Sequence, residues 1–165
     1  MAAVTTLPAS FTSGQILTAT NMNDIRGAFR VLQVIEGSTT TQTQNNTNVY
    51  ADTTLTASIT PSATSSKILA IVNQAGCYKQ TDAGSGVNIR LFRGATQIGE
   101  HTYIAYTATT SINTAGTGSI FVLDSPATTS ALTYKTQFAN VVNANGCIVQ
   151  FNGSRSSIIL MEISA

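Results

Sequence analysis

From Val31 onward, hydrophobic and polar residues alternate with a period of two. "RVLQVIE" sets Val31, Gln33 and Ile35 on one face and Leu32, Val34 and Glu36 on the other, the pattern of a strand with two distinct faces. Further strands are predicted at "STTTQTQ", "TTLTASIT", "KILAIVNQAGCYK", "GVNIRLFRG", "HTYIAYTA", "GSIFVLDS", "ALTYKTQFANV", "GCIVQFN" and "SSIILMEIS". Turn-forming clusters separate them, among them "TPSATSS", "TDAGSG", "RGATQ", "NTAGTG" and "NANG", rich in the residues that turns demand. Short strands at this spacing predict an all-β fold, an antiparallel β-sandwich or jelly roll of roughly eight to ten strands. "STTTQTQ" is polar on both faces and belongs at an edge or beneath a neighbouring subunit. "ILAIV", "SIFVL" and "SIILM" are continuous apolar runs. Such strands are buried on both faces, or once in the core and once against another chain; the second reading implies an oligomer.

Before Val31 the period changes. Met22, Ile25, Phe29 and Leu32 recur at steps of three, four and three, a short helical a/d seam for which Thr18 or Thr20 can serve as N-cap. Asp24 lies toward the positive end of that helix and Arg26 and Arg30 toward its negative end, as the helix dipole favours. Gly27 weakens the middle. Residues 1 to 14, with Pro8 and Gly14, read as an extended arm. The expected organisation is an N-terminal arm with an attachment and oligomerisation helix over residues 1 to 30, then a β-sandwich domain over residues 31 to 165. A seam this short does not hold a helix alone. It forms when copies associate or when it docks on a larger body, and a homotrimer is the expected state.

Composition narrows the functions. Charged residues are 9% of the chain and the net charge is +1, which supplies no field for steering toward nucleic acid or an anionic membrane. No run reaches the length of a membrane span, so membrane insertion is not expected. "MAAVTTLPASFTSG" lacks the basic and apolar regions of a secretory signal, and synthesis in a cytoplasm follows as an expectation. There Cys77 and Cys147 are expected to be buried free thiols rather than a disulfide. His101 is the single histidine, expected at a strand end on the surface, with no second imidazole for acid–base or metal chemistry. The acidic residues are dispersed. "GSG" at 84–86 and "GTG" at 116–118 lack the lysine and helix of a phosphate loop. No catalytic residue, metal site or cofactor is predicted. Arg90 and Arg93 fall on opposite strand faces and predict separate ion pairs. Among the five tyrosines, Tyr103 and Tyr106, with Asn143 and Asn145, are candidate contacts for a host surface glycan; ordinary sheet tyrosines are the alternative.

"FTSGQILTATNMNDIR" resembles the opening of many tailed-phage virion proteins, in which an aromatic, a G-x-x-L-T-A step and an asparagine-bearing helix precede the body. "LTASITPSATSSKILAIV", "IRLFRGATQIG", "FVLDSPATTSALTYKTQF" and the closing "SSIILMEI" are similar to segments of phage tail-fibre and other virion β-domains. The resemblance spans most of the chain from Phe11. It implies a structural protein of the virion: a trimeric tail fibre or appendage held to other virion proteins through residues 1 to about 30. The chain departs from long fibres in having no repetitive shaft, which raises a capsid-decorating or head-fibre protein as the alternative. A glycan-binding module is the reading from another class.

Overall fold

The computed structural model describes residues 31–144 and 146–164, and before them Gly14, Ile16, Thr18, Ala19 and Met22. Its strands are β1 (Val31–Thr39), β2 (Thr43–Asn45), β3 (Ala51–Ile59), β4 (Lys67–Lys79), β5 (Val87–Arg93), β6 (Thr96–Ile104), β7 (Thr114–Asp124), β8 (Leu132–Asn140), β9 (Cys147–Val149) and β10 (Ser156–Ile163). Four antiparallel pairs nest inside one another along the sequence: β1 with β10, β3 with β8, β4 with β7 and β5 with β6. Pairing of β10 with β4 and of β8 with β5 then rolls this long hairpin into two layers. One layer runs β1-β10-β4-β7, the other β3-β8-β5-β6. Eight strands nested and rolled in this way form a jelly roll, and the fold is therefore the expected all-β antiparallel sandwich.

The short β2 and β9 prolong the first layer beyond β1 and β10, with β9 also pairing to the end of β4. The interruptions lie side by side. β4 shifts register against β7 between Gln74 and Cys77, and Gly76, at φ 59, lets the Phe151 backbone approach where a Cβ would stand 2.5 Å from its nitrogen. The polar edge segment "STTTQTQ" is accordingly split between β1 and β2 rather than continuous.

The core consists of the inward phase of each strand. Ile68, Ala70, Val72, Ile158 and Leu160 of the first layer meet Leu55, Ile89, Leu91 and Phe138 of the second, all buried. Two expectations about strand limits change. "RGATQ" is a tight turn only at Gly94 and Ala95, because Arg93 already pairs with Thr96, so β6 begins earlier and ends at Ile104. "NTAGTG" is strand, since β7 follows β4 back to Thr114. Gly118 there leaves room for its neighbours: a Cβ would overlap Ile104 and stand 2.7 Å from Ile89 Cδ1.

Several polar residues on the inward phase bond to one another. Gln74 Oε1 accepts from Thr136 Oγ1 at 2.9 Å and its Nε2 donates to Ser156 Oγ at 3.1 Å. Thr136 also meets Thr53 Oγ1 at 2.5 Å. Arg93 donates to both carboxylate oxygens of Asp124, at 2.6 and 2.8 Å, and Tyr134 Oη donates to the same group at 2.7 Å. Arg90 pairs separately with Glu100, as the opposite phases of the two arginines required.

Candidate functional site

The outward phase of the first layer is where the sequence departs from a solvated sheet. Register places Val34, Met161, Leu69 and Leu123 in one row across β1, β10, β4 and β7. The next row is Glu36, Ile159, Ile71 and Phe121. Alternation fixes this placement: Ile68, Ala70 and Val72 point inward, so Leu69 and Ile71 point outward. Val34 is 55% exposed, Phe121 69% and Leu123 59%. An ion pair between Glu36 and Arg155 at 2.6 Å and a Lys67–Ser125 hydrogen bond at 2.7 Å lie among polar groups at the margin. An apolar centre with a polar rim is the anatomy of an interface.

The outward phase of the second layer is the opposite. Asp52, Gln137, Arg90 and Glu100 form a row across β3, β8, β5 and β6. Lys135 pairs with Asp52 at 2.9 Å, Gln137 donates to it at 2.8 Å, and Arg90 lies 3.8 Å from the Tyr50 ring centroid. Burial pushes the Tyr50 phenol up to about 12, its bond to Glu100 adding to that. A shallow cleft of about 210 Å³ at the β3 bulge is lined by Asp52, Thr54, Thr56 and Lys135, and the Asp52–Lys135 pair already satisfies its charges.

The far end of the sandwich gathers the loops around residues 46–50, 80–86, 105–113 and 141–144. Lys79 is fully buried there, its ammonium donating to the Asp82 carbonyl at 2.5 Å, the Thr107 hydroxyl and the Thr110 carbonyl. Ser85 Oγ and Gly86 N–H donate to Asn140 Oδ1, and Val141 N–H to the Gly86 carbonyl. Tyr103 and Tyr106 meet edge to face with ring centroids 4.9 Å apart, and both are exposed.

The residues singled out from sequence fall as follows. Leu32 belongs to β1 and is 45% exposed. This corrects its place in a helical seam: Leu32 lies within β1, at the register shift against β10 between Val31 and Gln33. Met22 is exposed and its N–H donates to the Thr18 carbonyl at 3.1 Å, a single helical step. Ile25, Phe29 and Asn145 lie outside the described residues. Asn143 Oδ1 accepts from Asn48 N–H at 2.9 Å, which puts it at the same end as the tyrosine pair. Tyr134 is buried and Tyr78 stacks on Phe151 at 4.0 Å. His101 Nδ1 lies 3.2 Å from both the nitrogen and the oxygen of Ser119. Cys77 and Cys147 are buried free thiols.

Sequence reasoning missed Lys79, Glu162 and the β1-β10-β4-β7 face as a unit. The signal for Glu162 was present, because it shares the inward phase of Ile158 and Leu160. Among the described residues no group of three histidine, cysteine, aspartate or glutamate side chains converges on a metal position, and no helix is long and apolar enough to cross a membrane.

No family model matches this chain, and no curated protein matches it. Among solved structures it is similar to the crystal structure of the infectious bursal disease virus VP2 subviral particle, at 10% identity and a TM-score of 0.39. That match covers 82% of this chain and 38% of the other; the jelly-roll assignment rests on the strand pairings.

Proposed function

We propose that this chain is a structural protein of a tailed-phage particle, a homotrimer built by packing the β1-β10-β4-β7 faces of its copies together and attached to other virion proteins through residues 1 to 30. The observation that carries this reading is the pair of rows across that face, apolar except for Glu36 at the β1 edge, opposite a sheet whose outer rows are charged and hydrogen-bonded. A second copy is the fitting occupant. A net charge of +1 raises little repulsion between copies. The segment predicted to bring copies together enters directly at β1, the edge strand of this face. The resemblance of "FTSGQILTATNMNDIR" and the β-segments to phage virion proteins supplies the virion location.

The second placement is a decoration protein or head fibre on the capsid. One experiment addresses both. Phage carrying a gene lacking codons 2–30 should yield particles without the protein, while the purified truncation keeps the β-sheet circular dichroism of the folded sandwich. Immunogold label of parent particles, raised against the sandwich, should then mark either the tail or the head. Incorporation of the truncated chain at the parent's level contradicts the attachment assignment.

A further inference from the structure

The loop end has chemistry that the proposed assembly does not use. β4 runs from Lys67, beside the apolar face, to Lys79 at the loop end, so burying that face leaves the loops free. Two non-glycine residues there adopt left-handed backbone, Tyr103 at φ 59 and Ala105 at φ 53, conformations that ordinary side chains avoid. The surroundings hold them in place. Tyr103 N–H donates to Asn88 Oδ1 at 2.9 Å, and the Tyr106 backbone packs on Gly86, where a Cβ would stand 3.1 Å from Tyr106 Cα.

The strained backbone carries an exposed pair of aromatic rings, Tyr103 at 59% and Tyr106 at 38%. Below them the buried Lys79 ammonium ties Asp82, Thr107 and Thr110 together, bracing two of the loops. In the four loops Asp82 is the sole charged residue of the sequence; the rest are amides, hydroxyls and small or apolar residues. The charges that reach the loops from the sheet, Arg90 and Glu100 against Tyr50, are already paired with each other, so the surface offers an ionic ligand little. A neutral sugar ring does match it: its C–H face stacks on tyrosine, its hydroxyls bond to amides and hydroxyls, and braced loops lose little entropy on binding.

We infer that the loop end of the sandwich binds a neutral saccharide, with Tyr103 and Tyr106 as its stacking platform. This inference does not depend on the trimer. The test uses the full-length protein and saturation-transfer NMR with neutral probes: methyl glucoside, methyl galactoside, methyl rhamnoside, N-acetylglucosamine and maltohexaose. A heparin hexasaccharide is the charged comparison. Transfer to at least one neutral probe is expected, with the ring protons of Tyr103 and Tyr106 shifting on titration and those of buried Tyr134 unmoved. The double variant Tyr103→Asn/Tyr106→Ser should weaken that binding about tenfold or more, asparagine being tolerant of the left-handed backbone at position 103. The ring-proton shifts of the parent decide the matter even if the variant folds poorly. Absence of transfer to every neutral probe, preference for the charged probe, or shifts at other tyrosines alone overturns the inference, as does capture of a protein partner by these loops without saccharide contact.

Discussion

The Glu162 carboxylate accepts the backbone N–H of Ser62, 100 residues away in the chain, at 2.6 Å. Ser62 Oγ donates to the same oxygen at 2.6 Å and Gln33 Nε2 to the other at 2.6 Å. One buried anion thus fastens β10, β1 and the β3–β4 loop without a cationic partner in these bonds. Burial pushes its pKa up, but the donated hydrogen bonds outweigh burial and hold it at about 2, against an ordinary 4.5.

A depressed carboxyl pKa stabilises the fold above the unfolded value and loses that contribution as pH falls through the folded one. Glu162→Gln turns one acceptor into a donor facing donors. It should cost about 1.5–3 kcal/mol at neutral pH. The gap in melting temperature between parent and variant should be widest at pH 7 and narrow steadily from pH 4.5 down to pH 2, followed by circular dichroism.

The two cysteines should be unreactive in the folded protein. Burial raises the Cys77 thiol to about 12 and pushes the Cys147 thiol up as well, so neither offers thiolate at pH 8. Titration with an aromatic disulfide reagent should find no fast thiol in the native chain and two per chain in guanidinium chloride.

Gln74 joins the layers through Thr136 and bonds within its own layer to Ser156. Gln74→Leu removes two buried hydrogen bonds, although Ser156 Oγ keeps Ala75 N–H and Gln150 Nε2 and Thr136 Oγ1 keeps Thr53, and should destabilise by about 1–3 kcal/mol in chemical denaturation. Replacing Gly118 by alanine drives a Cβ against Ile104 and Ile89, and overpacking of this kind costs about 1–3 kcal/mol.

Much of this fold was legible because alternation is a direct record of which way a side chain points. Ile158, Leu160, Leu69 and Ile71 announced strands, and their uninterrupted run announced that both faces meet apolar surroundings. What covers the second face is not written in a period. That Leu69 and Ile71 align with Met161, Ile159, Leu123 and Phe121 depends on register between strands far apart in sequence, which no local pattern specifies. The tyrosines show the same limit. Tyr134 and Tyr103 look alike as sheet residues, yet one donates to buried Asp124 while the other stands exposed on left-handed backbone. Leu32 fits two periods at once, and the strand that pairs with β10 on either side of it decided between them. Glu162 and Gln74 sit on the inward phase of apolar strands, a sign that their polar groups are satisfied inside.

The most direct test of the assembly is the solution mass of the full chain by light scattering, for the parent and for the variant Phe121→Asp/Leu123→Asp. Both side chains are largely exposed in the isolated sandwich, so the substitutions leave its fold intact while setting like charges against each other in a packed face. The parent should have three times the chain mass and the variant the mass of one chain, with matching circular dichroism. A monomeric parent, or a variant that keeps the trimer mass, contradicts assembly through the β1-β10-β4-β7 face.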